Sequence, residues 1–253
     1  MAIKRDLFSL DIPFDHAHAE DVLEQICREF DFIDVGSIGK SILGRSIRII
    51  TIGKGKKNVL FVGGHHGMEW ITSAILYGFI LDFCNEYKRQ NTIYDICTRI
   101  LFETRTIYIV PMLNPDGIDY AIHGVDKTNP LCSRVVGMNG SDDFSCWQAN
   151  ARGVDLNHNY NAGFAEYKHV ERDLGILSGA PTKFSGEYAE SEPETRALCN
   201  FCRSRMPELA LTLHTQGEEI FYTSNCYSAD RSLQLGDAVS CRSEEHTSEL
   251  QSP

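Results

Sequence analysis

Positive charge is scarce in this chain: 24 lysines and arginines stand against 35 aspartates and glutamates, a formal charge of -11 over 253 residues. No general field draws such a protein to phosphate backbones or anionic lipid, which argues against nucleic acid and membrane surfaces as partners. Long apolar runs are missing too, and none approaches the roughly 20 residues of a membrane span. The opening stretch, MAIKRDLFSLDIPFDHAHAED, is broken by charge where a secretory signal needs an apolar segment. The expectation is a cytoplasmic protein. Cysteine is plentiful, but the nine residues (Cys27, Cys84, Cys97, Cys132, Cys146, Cys199, Cys202, Cys226 and Cys241) are odd in number and scattered through apolar patterns. They read as buried thiols in a reducing compartment, not as a disulfide framework. Cys199 and Cys202 form a C-x-x-C on a helix-like segment with no second pair at zinc spacing, and read as structural. What is present, with 42% hydrophobic and 23% charged residues, is one ordinary globular domain with a substantial core.

Periodicity organises that domain. Residues 17–30 carry apolar side chains at Val22, Leu23, Ile26, Cys27 and Phe30, a helical spacing. Residues 32–38 and 47–52 read as strands around the turn GKSILGRS, and NVLFVGG (58–64) as a strand buried on both faces. A long helix over 70–88, a shorter one over 93–102 and a second buried strand, TIYIVPML (106–113), repeat the strand–helix–strand theme. This predicts an α/β fold with a doubly wound, mostly parallel or mixed sheet flanked by helices. From 114 to 188 periodicity is lost among Gly, Asn, Asp and Pro, and the stretch reads as a functional loop region. A helix over 190–206 and strands at 208–215 and 217–223 follow. Residues 242–253 carry no apolar period and read as a non-native tail appended to a single catalytic domain of residues 1–241.

The chemistry begins where the strand 58–64 ends. HHGMEW puts His65, His66 and Glu69 outside the carboxyl end of a strand, where open α/β sheets bind ligands. A His and a Glu three residues apart at such a junction can converge on one cation, although that spacing alone often arises by chance. His214 closes ELALTLH, again at a strand end, and an adjacent strand would bring it beside His66. Two histidines and a glutamate leave a fourth position for water, the open coordination of hydrolytic zinc.

In order along the chain, GGHHGMEWIT, PMLNPDG (111–117), GVDLNHNY (153–160), SEPETRAL (191–198) and LTLHTQGEEIFY (211–222) together resemble the zinc carboxypeptidases of carboxypeptidase A type. The resemblance implies one Zn2+ per chain held by His66, Glu69 and His214, with His65 a neighbour. It implies peptide hydrolysis, with Asn157 binding the substrate's terminal carboxylate, but His158 stands where an arginine usually follows. Histidine cannot reproduce the fixed, bidentate arginine contact at neutral pH, so a substrate other than a plain peptide terminus is implied. Gln148 falls where the family's oxyanion-stabilising arginine is expected and Arg152 lies nearby, and Arg152 is the favoured donor because a cation suits a developing oxyanion better. HTQGEEIFY and His158 look most like the bacterial γ-D-glutamyl-L-diamino acid peptidases, which cut cell-wall murein peptides. Gln216, Glu218 and Glu219 then border the substrate, with Glu218 or Glu219 pairing with the ammonium of diaminopimelate. The family's general-base glutamate lies about 70 residues beyond the third ligand, so the fold is expected to be incomplete at its C-terminus and the chain to hydrolyse peptides poorly. Two other readings are a zinc-dependent N-acyl amino acid deacylase and a non-catalytic zinc-binding module.

Overall fold

Short apolar runs rich in β-branched residues build the centre of the molecule. In the computed structural model, which describes residues 12–217, the chain divides into Met1–His214 and Thr215–Pro253; the architecture described is that of the first unit. Strand β1 (Ile33–Lys40) and strand β2 (Ser46–Ile52) form an antiparallel hairpin around the expected glycine-bearing turn. Strand β3 (Lys57–Val62) and helix α2 (Ile71–Lys88) follow, and strand β6 (Arg105–Val110) and strand β7 (Leu209–Thr212) complete a five-stranded sheet in the order β1-β2-β6-β3-β7. β6 runs antiparallel to β2 but parallel to β3, and β3 runs parallel to β7. The sheet is mixed, as the alternating strand and helix pattern predicts.

Alternation decides which side chains meet which layer. Ile50, Ile52, Ile107 and Ile109 point to one face, where α2 contributes Tyr77, Ile80 and Phe83 and helix α1 (His16–Glu29) contributes Val22, Leu23 and Ile26. Ile47, Ile49, Leu60, Val62, Tyr108 and Val110 point to the other, against Ala197 and Leu198 of helix α7 (Pro193–Arg205). With both faces covered, β6 is apolar almost throughout, which is why its run carries no polar alternation. No helix among the described residues is long and apolar enough to cross a membrane.

Three expectations need correction. The helix expected over 93–102 is instead a short hairpin, strands β4 (Thr92–Ile93) and β5 (Ile96–Cys97), before helix α3 (Thr98–Thr104). Tyr94 and Asp95 take left-handed backbone angles between them (φ 48° and 62°), a turn that interrupts the helical spacing. The stretch 114–188 is not merely loop: helices α4 (Pro115–His123), α5 (Cys132–Asn139) and α6 (Phe164–Asp173) lie within it. A third core of Tyr120, Val135, Phe144, Trp147, Ala149 and Ala151 packs part of it. β7 spans four residues and is largely exposed, because among the described residues it is an edge strand paired only with β3. The expected strand at 217–223, apart from Gly217, and the tail at 242–253 lie outside the described residues.

Buried polar groups fasten the helices to the loops. Glu194 near the start of α7 has no solvent exposure; it accepts from the Ile42 amide at 3.0 Å and from Asn150 Nδ2 at 3.3 Å. Burial, with Asp116 adding to it, pushes its pKa up to about 7. A raised folded-state value means the group's contribution is complete below the unfolded value near 4.5 and is lost as pH rises through about 7, by up to about 3 kcal/mol. Glu194→Gln should therefore stabilise the fold above pH 7 and lose that advantage at pH 4.5, read from denaturant unfolding at the two pH values. Ile80→Ala, in the fully buried face of α2, should cost about 2–5 kcal/mol in the same assay.

Candidate metal centre

The strand-end turn that carries His65, His66 and Glu69 is clamped from two sides. Leaving β3, the Gly63 amide donates to Val110 and the amides of Leu113 and Asn114 donate back to Gly63 and Gly64, which zips the turn to the PMLN segment. Asn114 is buried and works as a hub: Oδ1 caps α4 by accepting from the Gly117 amide at 2.9 Å. Its Nδ2 donates to the His65 carbonyl at 3.1 Å and the Ala149 carbonyl at 3.0 Å. A one-turn 3-10 helix, Gly67–Glu69, then presses on α4 so closely that a Cβ on Gly67 would lie 2.3 Å from the Gly117 carbonyl oxygen. Glycine is the residue that fits there, and it fixes how far Glu69 projects toward His66.

His66, Glu69 and His214 come together. His66 Nδ1 lies 3.3 Å from Glu69 Oε1, and His214 Nδ1 lies 2.9 Å from Glu69 Oε2. One ligand atom from each residue lies within 4.8 Å of the others. Two ligands about 2.0–2.2 Å from one tetrahedral ion would stand little more than about 3 Å apart. The chemistry of the donors fits a zinc ion: two imidazole nitrogens and a carboxylate, with His66 Nδ1 and Glu69 Oε1 buried and without hydrogen-bond partners.

Charge is arranged to keep these donors in one state. Burial pulls the His66 pKa down, but the hydrogen bond to Asp155 and the adjoining Glu69 carboxylate outweigh it and lift the value to about 9. Burial works against the Glu69 carboxylate, yet His214 and His66 hold its pKa at about 2. Asp155 is the residue that sequence reasoning missed. It is buried, and its Oδ1 stands 3.2 Å from His66 Nε2 while its Oδ2 accepts from the Lys183 amide at 3.0 Å. Once the ring gives up one proton to a metal, this network keeps the remaining proton on Nε2 and frees the Nδ1 lone pair for the ion. The signal was in GVDLNHNY, where the first acid of the block precedes the predicted substrate residues.

The remaining predicted residues differ in their surroundings. Arg152 donates from Nε and Nη2 to the buried Glu192 at 3.1 and 2.8 Å, and its Nη1 makes no hydrogen bond among the described residues. The Gln148 carbonyl accepts from the Gly67 amide, and its side-chain oxygen accepts from the Thr182 hydroxyl, so Gln148 borders the ligand turn directly. Asn157 is exposed. His158 stacks on Tyr167 with ring centroids 3.8 Å apart and planes 6° apart, its Nε2 3.8 Å from Asp155 Oδ2. Burial lowers its pKa, which keeps the ring uncharged at neutral pH. Gln216 is exposed, and Glu218 and Glu219 lie outside the described residues.

A profile of the zinc carboxypeptidases matches residues 20–249. The chain belongs to the zinc carboxypeptidase family. It is 30% identical over 210 residues to gamma-D-glutamyl-L-diamino acid endopeptidase 1 of Lysinibacillus sphaericus, covering 83% of this chain and 52% of that protein. It is 27% identical over 217 residues to carboxypeptidase B of Bos taurus, covering 83% of this chain and 46% of that protein. The carboxypeptidase A of Helicoverpa armigera has a similar fold, with a TM-score of 0.63 and 23% identity over 92% of this chain and 54% of that one. This zinc carboxypeptidase chain thus spans about half the length of the curated relatives it matches.

Two outcomes follow from the wiring of His66. Asp155→Ala should lower zinc affinity by about 10- to 100-fold, because the ligand loses its orienting carboxylate; competition with a chelating dye measures it. Since a metal on Nδ1 must displace the proton held up to about pH 9, zinc binding at pH 7 should release about one proton and tighten about tenfold per pH unit up to that value. Calorimetry in buffers of different ionisation enthalpy reads the proton count.

Proposed function

We propose that His66, Glu69 and His214 hold one zinc ion and that the protein hydrolyses peptides of the γ-D-glutamyl-diamino acid type, a reaction of cell-wall murein peptide turnover. The observation that carries the reading is the convergence of two imidazoles and a carboxylate at adjacent parallel strand ends, with two of the donor atoms buried and unpartnered. When bound, zinc supplies Lewis acidity: it polarises a carbonyl and brings the pKa of a water toward about 7. The chain's own residues orient and select. Asp155 keeps the His66 proton on Nε2, away from the ligating edge. Arg152 is held at one side by Glu192, and its unengaged Nη1 is suited to a developing oxyanion, with the Gln148 amide as the alternative donor.

Substrate choice rests on His158 and its surroundings. An uncharged imidazole stacked on Tyr167 offers no fixed cation to a peptide's terminal carboxylate, while Asn157 offers an exposed amide beside it. That combination favours a substrate whose extra charges are met elsewhere, and Gln216, Glu218 and Glu219 follow the third ligand with the groups to meet an ammonium. The similarity to a γ-D-glutamyl-L-diamino acid endopeptidase supports the same class, and the family match favours a peptidase over an N-acyl amino acid deacylase.

Metal analysis and calorimetry on one preparation test the reading. The purified chain should carry about one zinc, lost in His66→Ala and in His214→Ala. The zinc-loaded chain should bind γ-D-glutamyl-meso-diaminopimelate at least tenfold more tightly than an α-linked glutamyl-alanine dipeptide. A folded chain without zinc overturns the metal centre; equal affinity for the two dipeptides overturns the substrate class.

A further inference from the structure

The metal centre as read above uses one nitrogen of each histidine and leaves a question about the other. A ligating histidine nearly always donates its second ring N–H to an oxygen or another acceptor, which fixes the ring's orientation and raises its basicity. For His66 that acceptor is Asp155. For His214 there is none: Nδ1 faces Glu69, and Nε2 is buried without a hydrogen-bond partner among the described residues. His214 is also the ligand with the weakest local support, two residues beyond the four-residue edge strand β7.

One neighbouring side chain has the matching deficit. His65 is fully enclosed, with 1% of its surface exposed. Its Nε2 is 2.8 Å from the Tyr160 hydroxyl, while its Nδ1 is buried and unpartnered. The His65 and His214 rings lie tilted against each other, 5.4 Å between centroids and with planes 40° apart. That separation leaves about 3 Å, hydrogen-bond distance, between ring nitrogens turned toward each other. Leaving two buried ring nitrogens unsatisfied costs about 1–3 kcal/mol each, a cost that a hydrogen bond between them would remove.

We propose that His65 is the positioning residue for His214: its Nδ1 accepts the Nε2–H of His214, and its own Nε2–H is held by the Tyr160 oxygen. The proton assignments are mutually consistent. If His214 ligates through Nδ1, its proton must sit on Nε2, which makes it the donor. His65 must then accept at Nδ1 and carry its proton on Nε2, where the Tyr160 oxygen can receive it. Tyr160 and Asp155 belong to one loop, anchored by Asn159, whose Nδ2 donates to the Ser185 and Tyr188 carbonyls at 2.7 and 3.2 Å. One loop would thereby steer both histidine ligands, His66 directly through Asp155 and His214 through Tyr160 and His65.

Zinc affinity and histidine ring NMR on the full chain test this without recourse to turnover. His65→Leu, similar in bulk but without an acceptor, should weaken zinc binding by about 10- to 100-fold. His65→Gln, whose amide oxygen can accept, should recover part of that loss. Tyr160→Phe, which removes one hydroxyl, should give a smaller loss in the same direction. In the zinc-loaded wild type, the His214 Nε2–H should exchange slowly with water, and in His65→Leu this protected signal should vanish. Should His65→Leu fail to fold, the Gln and Tyr160 variants carry the comparison. Zinc affinity unchanged within twofold in the folded variants, or a His214 Nε2–H equally protected in them, overturns the proposal while leaving the metal centre intact. A wild-type chain that binds no zinc overturns both.

Discussion

The buried carboxylate of Asp155 is the constraint on which the site depends. It faces the His66 imidazole through one oxygen and the Lys183 amide through the other, while its own amide donates to the Phe184 carbonyl. Burial alone would favour its neutral form, yet the hydrogen bond and charge of His66, with the Lys183 amide, hold its pKa below the ordinary carboxylate range. One anion in a water-poor setting thus joins the 155–160 loop, the 181–185 segment and the end of β3. The carboxylate thereby sets where the His66 ring stands relative to that loop and segment.

Around this post, asparagine side chains do the work that regular secondary structure does elsewhere. Asn114 links the His65 carbonyl to Ala149, Asn150 joins its own loop to Glu192 and Glu194, and Asn159 gathers Ser185, Tyr188 and Ser191. An amide offers two donors and an acceptor in a plane, which suits irregular backbone whose carbonyls and N–H groups lack ladder partners. Much of the segment from 114 to 188 is held in this way. Its only sizeable apolar cluster is built around Trp147 and Phe144, so its order depends on satisfied polar groups more than on area buried, and such networks specify a single arrangement when complete.

Glycines add the second condition for placement. Gly67 lets the ligand turn approach α4 within a distance that any side chain would block, and Gly117 receives it with equal closeness, its own missing Cβ leaving room for the Ala149 carbonyl. These are backbone requirements of HHGMEW and PMLNPDG. The histidines and the glutamate supply donors, and the glycines set where those donors point.

The strands, the long helix α2 and the meeting of His66, Glu69 and His214 were legible in the sequence, because period-two and period-3.6 patterns survive without knowledge of neighbours and because strand ends are where such sheets bind. The hairpin at 92–97 and the helices within 114–188 were not legible: they are short, partly polar and stabilised by contacts far away in the chain. The candidate metal ligands follow from residue type, strand-end position and the five blocks that resemble one family. Asp155 and the tether of Arg152 to Glu192 do not, since a carboxylate's role depends on what lies within about 3 Å of it, a distance that local spacing cannot encode. By itself the sequence determined the α/β class, the core strands and the chemical identity of the donors. Only the tertiary structure decided which nitrogen of His66 is left free, because that choice is made by a buried anion 89 residues away along the chain.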